Sequence, residues 1–350
     1  MKSAVLLLNL GSPDKPETAE VREYLAEFLG DERVIDVPFV RKFVVPQIIL
    51  RTRPAKSAEA YRTVWTDEGS PLLVTSYKQQ EKLQAQIEPT VYLAMRYGKP
   101  STKAVLQDIV ADGITHLYVL PLYPHYAMSS YETAYVAVTD ALAEMGATDK
   151  IHITLQQPFY NDPDYIAALV EVSKPYLEKD DWDHLLFSYH GIPVRHLEVS
   201  DPSNAHCNKY ADCCERCHPA HATCYKHQCT TTTKLFTKAA GLRDDQWSIS
   251  FQSRLGKEPW IPPYTDLTLE QYPKKGIKRL KVMCPAFITD CLETLEEIRI
   301  GGREIFEEHG GEQYEQIPCL NDQQPWIDWM TKRVNAWQES LNADNTVVAL

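Results

Sequence analysis

Ala4–Pro13, AVLLLNLGSP, and His184–Pro193, HLLFSYHGIP, are the two stretches that decide the fold. Each is a short apolar run followed by a polar residue and a Gly-x-Pro turn. A run of this length bounded by turn residues reads as a buried strand. Further runs at Val91–Ala94, His116–Leu120, Ile151–Leu155, Ser248–Phe251 and Arg279–Met283 share that character. Between them lie segments of helical period: Thr18–Phe28, Leu73–Ile87, Lys103–Ile109, Tyr131–Met145, Pro163–Leu177 and Asp290–Glu307. Strands alternating with helices predict an α/β protein with parallel sheets. Because the pattern runs twice, the expected architecture is two similar Rossmann-like halves, each a parallel sheet flanked by helices. The site is expected in the cleft between them, at the carboxyl ends of the strands. The expected divisions are residues 1–150, residues 151–320, and a C-terminal helix and tail over 321–350 packing back on the body.

The composition, 44% hydrophobic and 24% charged with a mean hydropathy of −0.36, is that of a globular chain. A net charge of −12 opposes nucleic-acid binding, which needs a basic face to neutralise phosphates. The first apolar run is too short to span a bilayer and is followed by Asp and Glu, so neither a transmembrane helix nor a signal peptide is expected. The cytoplasm is the expected compartment, and there cysteines serve as metal ligands or free thiols rather than disulfides. Residues Val37–Arg53, VPFVRKFVVPQIILRTR, mix apolar and basic residues. They read either as a buried helix with its loop or as an exposed apolar lip that meets a greasy ligand or a membrane surface.

Three features carry chemistry. In FITDCLETLEEI, helical spacing places Asp290, Glu293 and Glu297 on one face. That face is either a solvated acidic surface or part of a site at a strand end. In SYHGIP, His190 stands on the turn after a strand, where a neutral imidazole can take a proton or bind a divalent metal. The third is His206–Cys229, HCNKYADCCERCHPAHATCYKHQC, within an insert at about 203–229. It holds six of the chain's nine cysteines and four of its eleven histidines. Cys214 and Cys217 form a CxxC chelate of the kind shared by iron–sulfur and zinc sites.

The stretches LLNLGSPDKPE, VREYLAEFLGDERVIDVP, GSPLL, AMRYGKPS, LPLYPHYAMSS, SYHGIP, FQSRLGKEPWIPP and DCLETLEEI, in this order, resemble the ferrochelatase family. The resemblance implies an enzyme that inserts ferrous iron into a free-base porphyrin, protoporphyrin IX being favoured by the DCLETLEEI form, as the terminal step of haem formation. It implies that His190 binds metal and takes a pyrrole proton, that Glu293 faces it across the macrocycle, and that Glu297 extends the proton path. Leu10, Arg96, Tyr97 and Tyr123 are implied as porphyrin-pocket residues, with Arg96 available to a propionate. Residues 37–53 are implied as the lip through which the porphyrin passes between pocket and membrane. Cys291 departs from the family's commoner histidine at that position and marks a subtype.

The family's animal members hold a [2Fe-2S] cluster through a cysteine where this chain has Met128 and three more in a C-terminal extension, yet no cysteine follows Cys319 here. Some bacterial members hold such a cluster in an internal cysteine segment, which the insert resembles. The implied ligands are Cys207, Cys214, Cys217 and Cys224, with Cys213 and Cys229 as alternates. Zinc held with His206, His218, His221 or His227 is the other reading. A porphyrin carrier or metallochaperone without turnover is the alternative function. No feature sets the oligomeric state.

Overall fold

The computed structural model describes residues 2–254, 256 and 258–348. Leu255 and Lys257, in the FQSRLGKEPWIPP stretch, and the last two residues of the C-terminal tail lie outside them. Eight strands form: β1 (Ser3–Ser12), β2 (Thr90–Gly98), β3 (His116–Pro121), β4 (His152–Leu155), β5 (His184–His190), β6 (Trp247–Gln252), β7 (Arg279–Met283) and β8 (Gln313–Gln316). They make two four-stranded sheets of the same order, β2-β1-β3-β4 and β6-β5-β7-β8. Every strand pair is parallel. The two opening stretches are thus the second strand of each sheet, and both are buried almost throughout. Strands flanked on both edges and covered on both faces read as continuous apolar runs. The chain folds as two Rossmann-like halves.

Two details differ from the sequence reading. No apolar run signals β8, because QYEQ is a short edge strand with alternating burial. The run near residue 151 pairs with β3, so the first sheet extends past residue 150.

The helix Gln324–Val348 fastens the halves together. Trp337 donates to Thr154 Oγ1 at 3.0 Å beside the first sheet, and Trp329 donates to Asp162 Oδ1 at 3.0 Å. Trp326, Trp329 and Phe159 stack in the core beneath it. Deeper in, Asn9 at the end of β1 donates to Ser76 Oγ (3.0 Å) in its own half and to Thr289 Oγ1 (3.3 Å) in the other.

The two Gly-x-Pro turns need glycine for the same reason. Gly11 has φ +107° and lies against the Tyr97 carbonyl, and a Cβ there would sit 1.8 Å from that oxygen. A Cβ on Gly191 would meet the Gln252 carbonyl at 2.7 Å. In each half the neighbouring strand passes where a side chain would be.

Candidate functional site

A cleft enclosing about 780 Å³, part of it open to solvent, lies between the halves. Its walls come from residues at or just beyond the carboxyl ends of β1 (Leu10), β3 (Leu122, Tyr123, His125), β5 (His190, Ile192) and β7 (Phe287, Ile288, Cys291), closed by Phe28, Leu72 and Tyr225. The carboxyl ends of the two inner strands of each sheet therefore build the site.

His190, the last residue of β5, donates from Nδ1 to the Gly191 carbonyl at 2.6 Å. A carbonyl can only accept, so the proton is on Nδ1 and Nε2 keeps its lone pair. The ring lies between Phe287 and Trp260, with centroids 6.3 and 6.5 Å away.

The acidic segment is a π-helix over Glu293–Gly302, running on into an α-helix over Arg303–Glu308. Its i→i+5 bonding puts more residues into each turn than an α-helix does, which brings Glu293 and Glu297 nearly into line. Burial raises the Glu297 carboxyl above its usual range. A hydrogen bond from Ser253 and the nearby His190 oppose that shift, while Glu293 adds to it. Glu297 thus feels both the imidazole and Glu293. Glu293 in turn acts on the Cys291 thiol, which burial pushes well up, and on the buried phenols of Tyr24 and Tyr61. Gln252 fixes the acid helix to β6 by donating to the Glu293 carbonyl at 3.1 Å.

Asp290 does not share this face. It precedes the helix, is buried, and accepts from Thr294 Oγ1 (2.7 Å), Gln316 Nε2 (3.2 Å), Cys319 N (3.3 Å) and Asn321 Nδ2 (2.7 Å). The three-carboxylate face read from α-helical spacing is therefore corrected to two, because the helix starts after Asp290 and is wound differently.

Of the four residues marked for the porphyrin pocket, Leu10 and Tyr123 line the cleft. The Tyr123 hydroxyl is buried without a hydrogen-bond partner. Arg96 and Tyr97 stand behind the wall. Arg96 is ion-paired with Asp31 and donates to Thr133 Oγ1 at 2.8 Å. Tyr97 donates to Asp31 at 2.9 Å and packs edge-on against Phe28, 5.2 Å away. The guanidinium expected to meet a propionate is thus held by an internal carboxylate. His125 and Tyr225 also line the cleft and were not singled out. His125 stands inside LPLYPHYAMSS, whereas Tyr225 had no signal, since it lies within the cysteine-rich insert, away from every site motif.

Residues 37–53 turn several large apolar side chains outward. Val40–Ile49 is π-helical and continues into the helix Leu50–Val64. Phe39, Phe43 and Ile48 are 66%, 59% and 58% exposed, with Lys42, Arg51 and Arg53 exposed around them. Among the described residues no helix is long and apolar enough to cross a membrane.

In the insert, the Cys214 thiol is pushed up by contact with that of Cys224 and by burial, and it also meets Cys213. Cys207 contacts Cys224 as well. Cys217 is exposed, and Cys229 is buried under Tyr225. The histidines are occupied in packing: His206 stacks on His218 (4.0 Å) and His221 on His227 (3.6 Å). Nε2 of both His206 and His221 donates to the Cys213 carbonyl, at 2.8 and 3.0 Å. Among the described residues no three His, Cys, Asp or Glu side chains are arranged to hold one metal ion.

The architecture and cleft define a chelatase-type protein. Its fold is similar to that of SirB from Bacillus subtilis with Fe3+, at a TM-score of 0.53 and 13% identity over 96% of this chain and 95% of that one. The sirohydrochlorin chelatase SirB of Bacillus subtilis subspecies spizizenii in complex with cobalt is equally similar, at 0.53 and 12% over 96% and 94%. Sequence narrows the class. Residues 2–337 match the ferrochelatase family. The ferrochelatase of Opitutus terrae is 53% identical over 96% of this chain and 98% of its own. That of Stutzerimonas stutzeri is 47% identical over 93% and 95%. The chain belongs to the ferrochelatase family.

Proposed function

We propose that the cleft inserts ferrous iron into protoporphyrin IX, with His190 as the metal-binding base and Glu293 and Glu297 as the path by which protons leave. Iron insertion to make haem is the family's reaction. The observation that supports the residue roles is that the buried Glu297 carboxyl lies within electrostatic reach of both His190 and Glu293. Free-base porphyrin has two N–H protons pointing into the hole that the metal must fill. The lone pair on His190 Nε2 suits a metal in transit or a pyrrole proton. A carboxyl raised above its usual range can accept that proton and pass it on. A flat ring hides its nitrogen lone pairs, and a rigid apolar wall such as Leu10, Ile192 and Phe287 can hold the ring bent, at a strain of about 1–5 kcal/mol met by binding elsewhere on the macrocycle.

Among the described residues no Lys or Arg lines the cleft, which favours protoporphyrin, with two carboxylates, over coproporphyrin, with four, since each buried carboxylate needs a partner. The lip rests on a lipid surface in this reading, its aromatic residues at the acyl boundary and its bases at the headgroups. That makes the protein a cytoplasmic enzyme in peripheral contact with a membrane.

The insert is proposed to hold a [2Fe-2S] cluster through Cys207, Cys214 and Cys224. Each iron of such a cluster takes two thiolates, so pairwise thiol contacts fit it better than they fit a single tetrahedral ion. Cys213, in contact with Cys214, is the fourth ligand the folded insert favours over the exposed Cys217. When bound, the cluster cross-links the insert. Histidine packing leaves zinc with fewer free donors.

The test of the site is His190→Ala. Metal insertion, followed by loss of metal-free porphyrin fluorescence, should fall by at least a hundredfold, while porphyrin affinity stays within about threefold of the parent. Near-normal turnover in that variant would overturn the assignment. A carrier would quench at most one porphyrin per chain, whereas this enzyme should turn over many.

A further inference from the structure

His125 stands on the loop after β3, in the wall of the cleft that belongs to the N-terminal half. It is only 2% exposed. Its Nε2 is 2.9 Å from Thr232 Oγ1, and that hydroxyl donates its own proton to the Tyr160 carbonyl at 2.7 Å. Thr232 can therefore only accept from His125, which puts the ring proton on Nε2. Nδ1 is left with a bare lone pair, and it is buried without a hydrogen-bond partner. Tyr189 and Tyr225 pack edge-on against the ring at 5.5 and 6.0 Å and hold its orientation.

An unpartnered buried acceptor costs stability. On a residue that lines the cleft, such a group calls for a partner, and a ligand that displaces the side chains covering Nδ1 would supply it. Burial lowers the ring's pKa to about 3. The imidazole thus stays neutral at any working pH and makes a poor base, but a good nitrogen donor to a metal. His190, from the other half, presents the complementary arrangement, with Nδ1 donating and Nε2 bare.

We propose that His125 Nδ1 is a ligand for the entering divalent metal, holding it against the N-terminal wall before it passes into the macrocycle. The step is ligand exchange alone: one metal–nitrogen bond forms as a water leaves, and it breaks as a porphyrin nitrogen takes its place, with no change of oxidation state. A single imidazole suits this task, since a closed set of three or four ligands would retain the metal. The inference rests on reading the cleft as the place of insertion.

The test compares the parent with His125→Phe, which keeps a ring among the tyrosines but has no nitrogen, and with His125→Gln. KM for Zn(II) and Fe(II), kcat, porphyrin affinity by fluorescence and melting temperature are measured for each. The expected result is a rise of at least tenfold in the metal KM, with porphyrin affinity within twofold and kcat within about threefold of the parent. Thr232→Val, which frees the Nε2 proton and loosens the tautomer, should give a smaller rise. Co(II) is also titrated into porphyrin-free His190→Ala protein and into the double variant with His125→Phe; the cysteine insert is common to both and cancels. The visible cobalt absorption should differ between them by about one imidazole ligand. If the parent binds no porphyrin, the reading of the cleft falls and the metal role falls with it. If porphyrin binds and the folded variants keep the parent's metal KM and cobalt spectrum, the metal role alone is overturned. A packing role would lower the melting temperature and leave the metal KM where it was.

Discussion

Asp290→Asn separates the two roles that a carboxylate at that position could have. Helical spacing groups Asp290 with Glu293 and Glu297, whereas in the structure its two oxygens accept four hydrogen bonds inside the protein. Asn can keep the oxygen that faces Thr294 and Gln316. The other oxygen becomes an NH2 group pointing at two donors, Cys319 N–H and the Asn321 amide. Two charge-assisted bonds are lost, each of about 1.5–3 kcal/mol, and two buried donors are left unpaired. After partial relaxation the expected loss is about 3 kcal/mol, and with an unfolding entropy of about 2.1 cal/mol/K per residue over 350 residues, or roughly 1.4 °C per kcal/mol, the melting temperature should fall by about 4 °C. Turnover measured well below the transition should remain within about fivefold of the parent, since Asp290 does not itself line the cleft and none of its side-chain hydrogen bonds goes to Glu297. Thermal unfolding and initial rates on the same preparation check both numbers. A variant that melts like the parent but has lost its turnover would refute the reasoning and return Asp290 to the proton path.

Glu297→Gln should cut turnover by more than tenfold, because an amide cannot relay a proton. Its stability should also follow pH: with the folded carboxyl raised above its unfolded value, the parent is most stable below the unfolded pKa and loses stability as pH rises toward the folded one. The variant's melting temperature relative to the parent should therefore climb between pH 4 and 7, and a flat difference would count against the shift. Polar replacement of Phe39, Phe43 and Ile48 should weaken binding to lipid vesicles and raise the porphyrin KM with the melting temperature unchanged, whereas a lower melting temperature would show the segment to be core. In the insert, Cys→Ser at Cys207, Cys213, Cys214 or Cys224 should abolish the red-brown colour and the two irons and two sulfides of the cluster, while Cys217→Ser and Cys229→Ser keep them; one zinc per colourless, active chain would replace the cluster with the zinc reading.

The sequence by itself determined the α/β class, the doubling and the position of the site. Two buried central strands must be written as near-continuous apolar runs, and a Gly-x-Pro turn after each marks the carboxyl end where ligands collect. His190 was legible because it sits at one of those ends, whereas Leu10 and Tyr123 were marked only by the resemblance to the family. Only the tertiary structure decided which polar groups face the cleft. Arg96 follows the pattern of a cleft residue, yet Asp31, 65 positions away, takes its charge. Asp290 keeps helical spacing with the acids but lies outside a helix whose π winding no periodicity reveals. The lone pairs of His125 and His190 depend on which nitrogen finds an acceptor, and for His125 that acceptor is Thr232, 107 residues along the chain. Spacing reports neighbours along one element; proton placement and charge pairing are set by partners brought in from others.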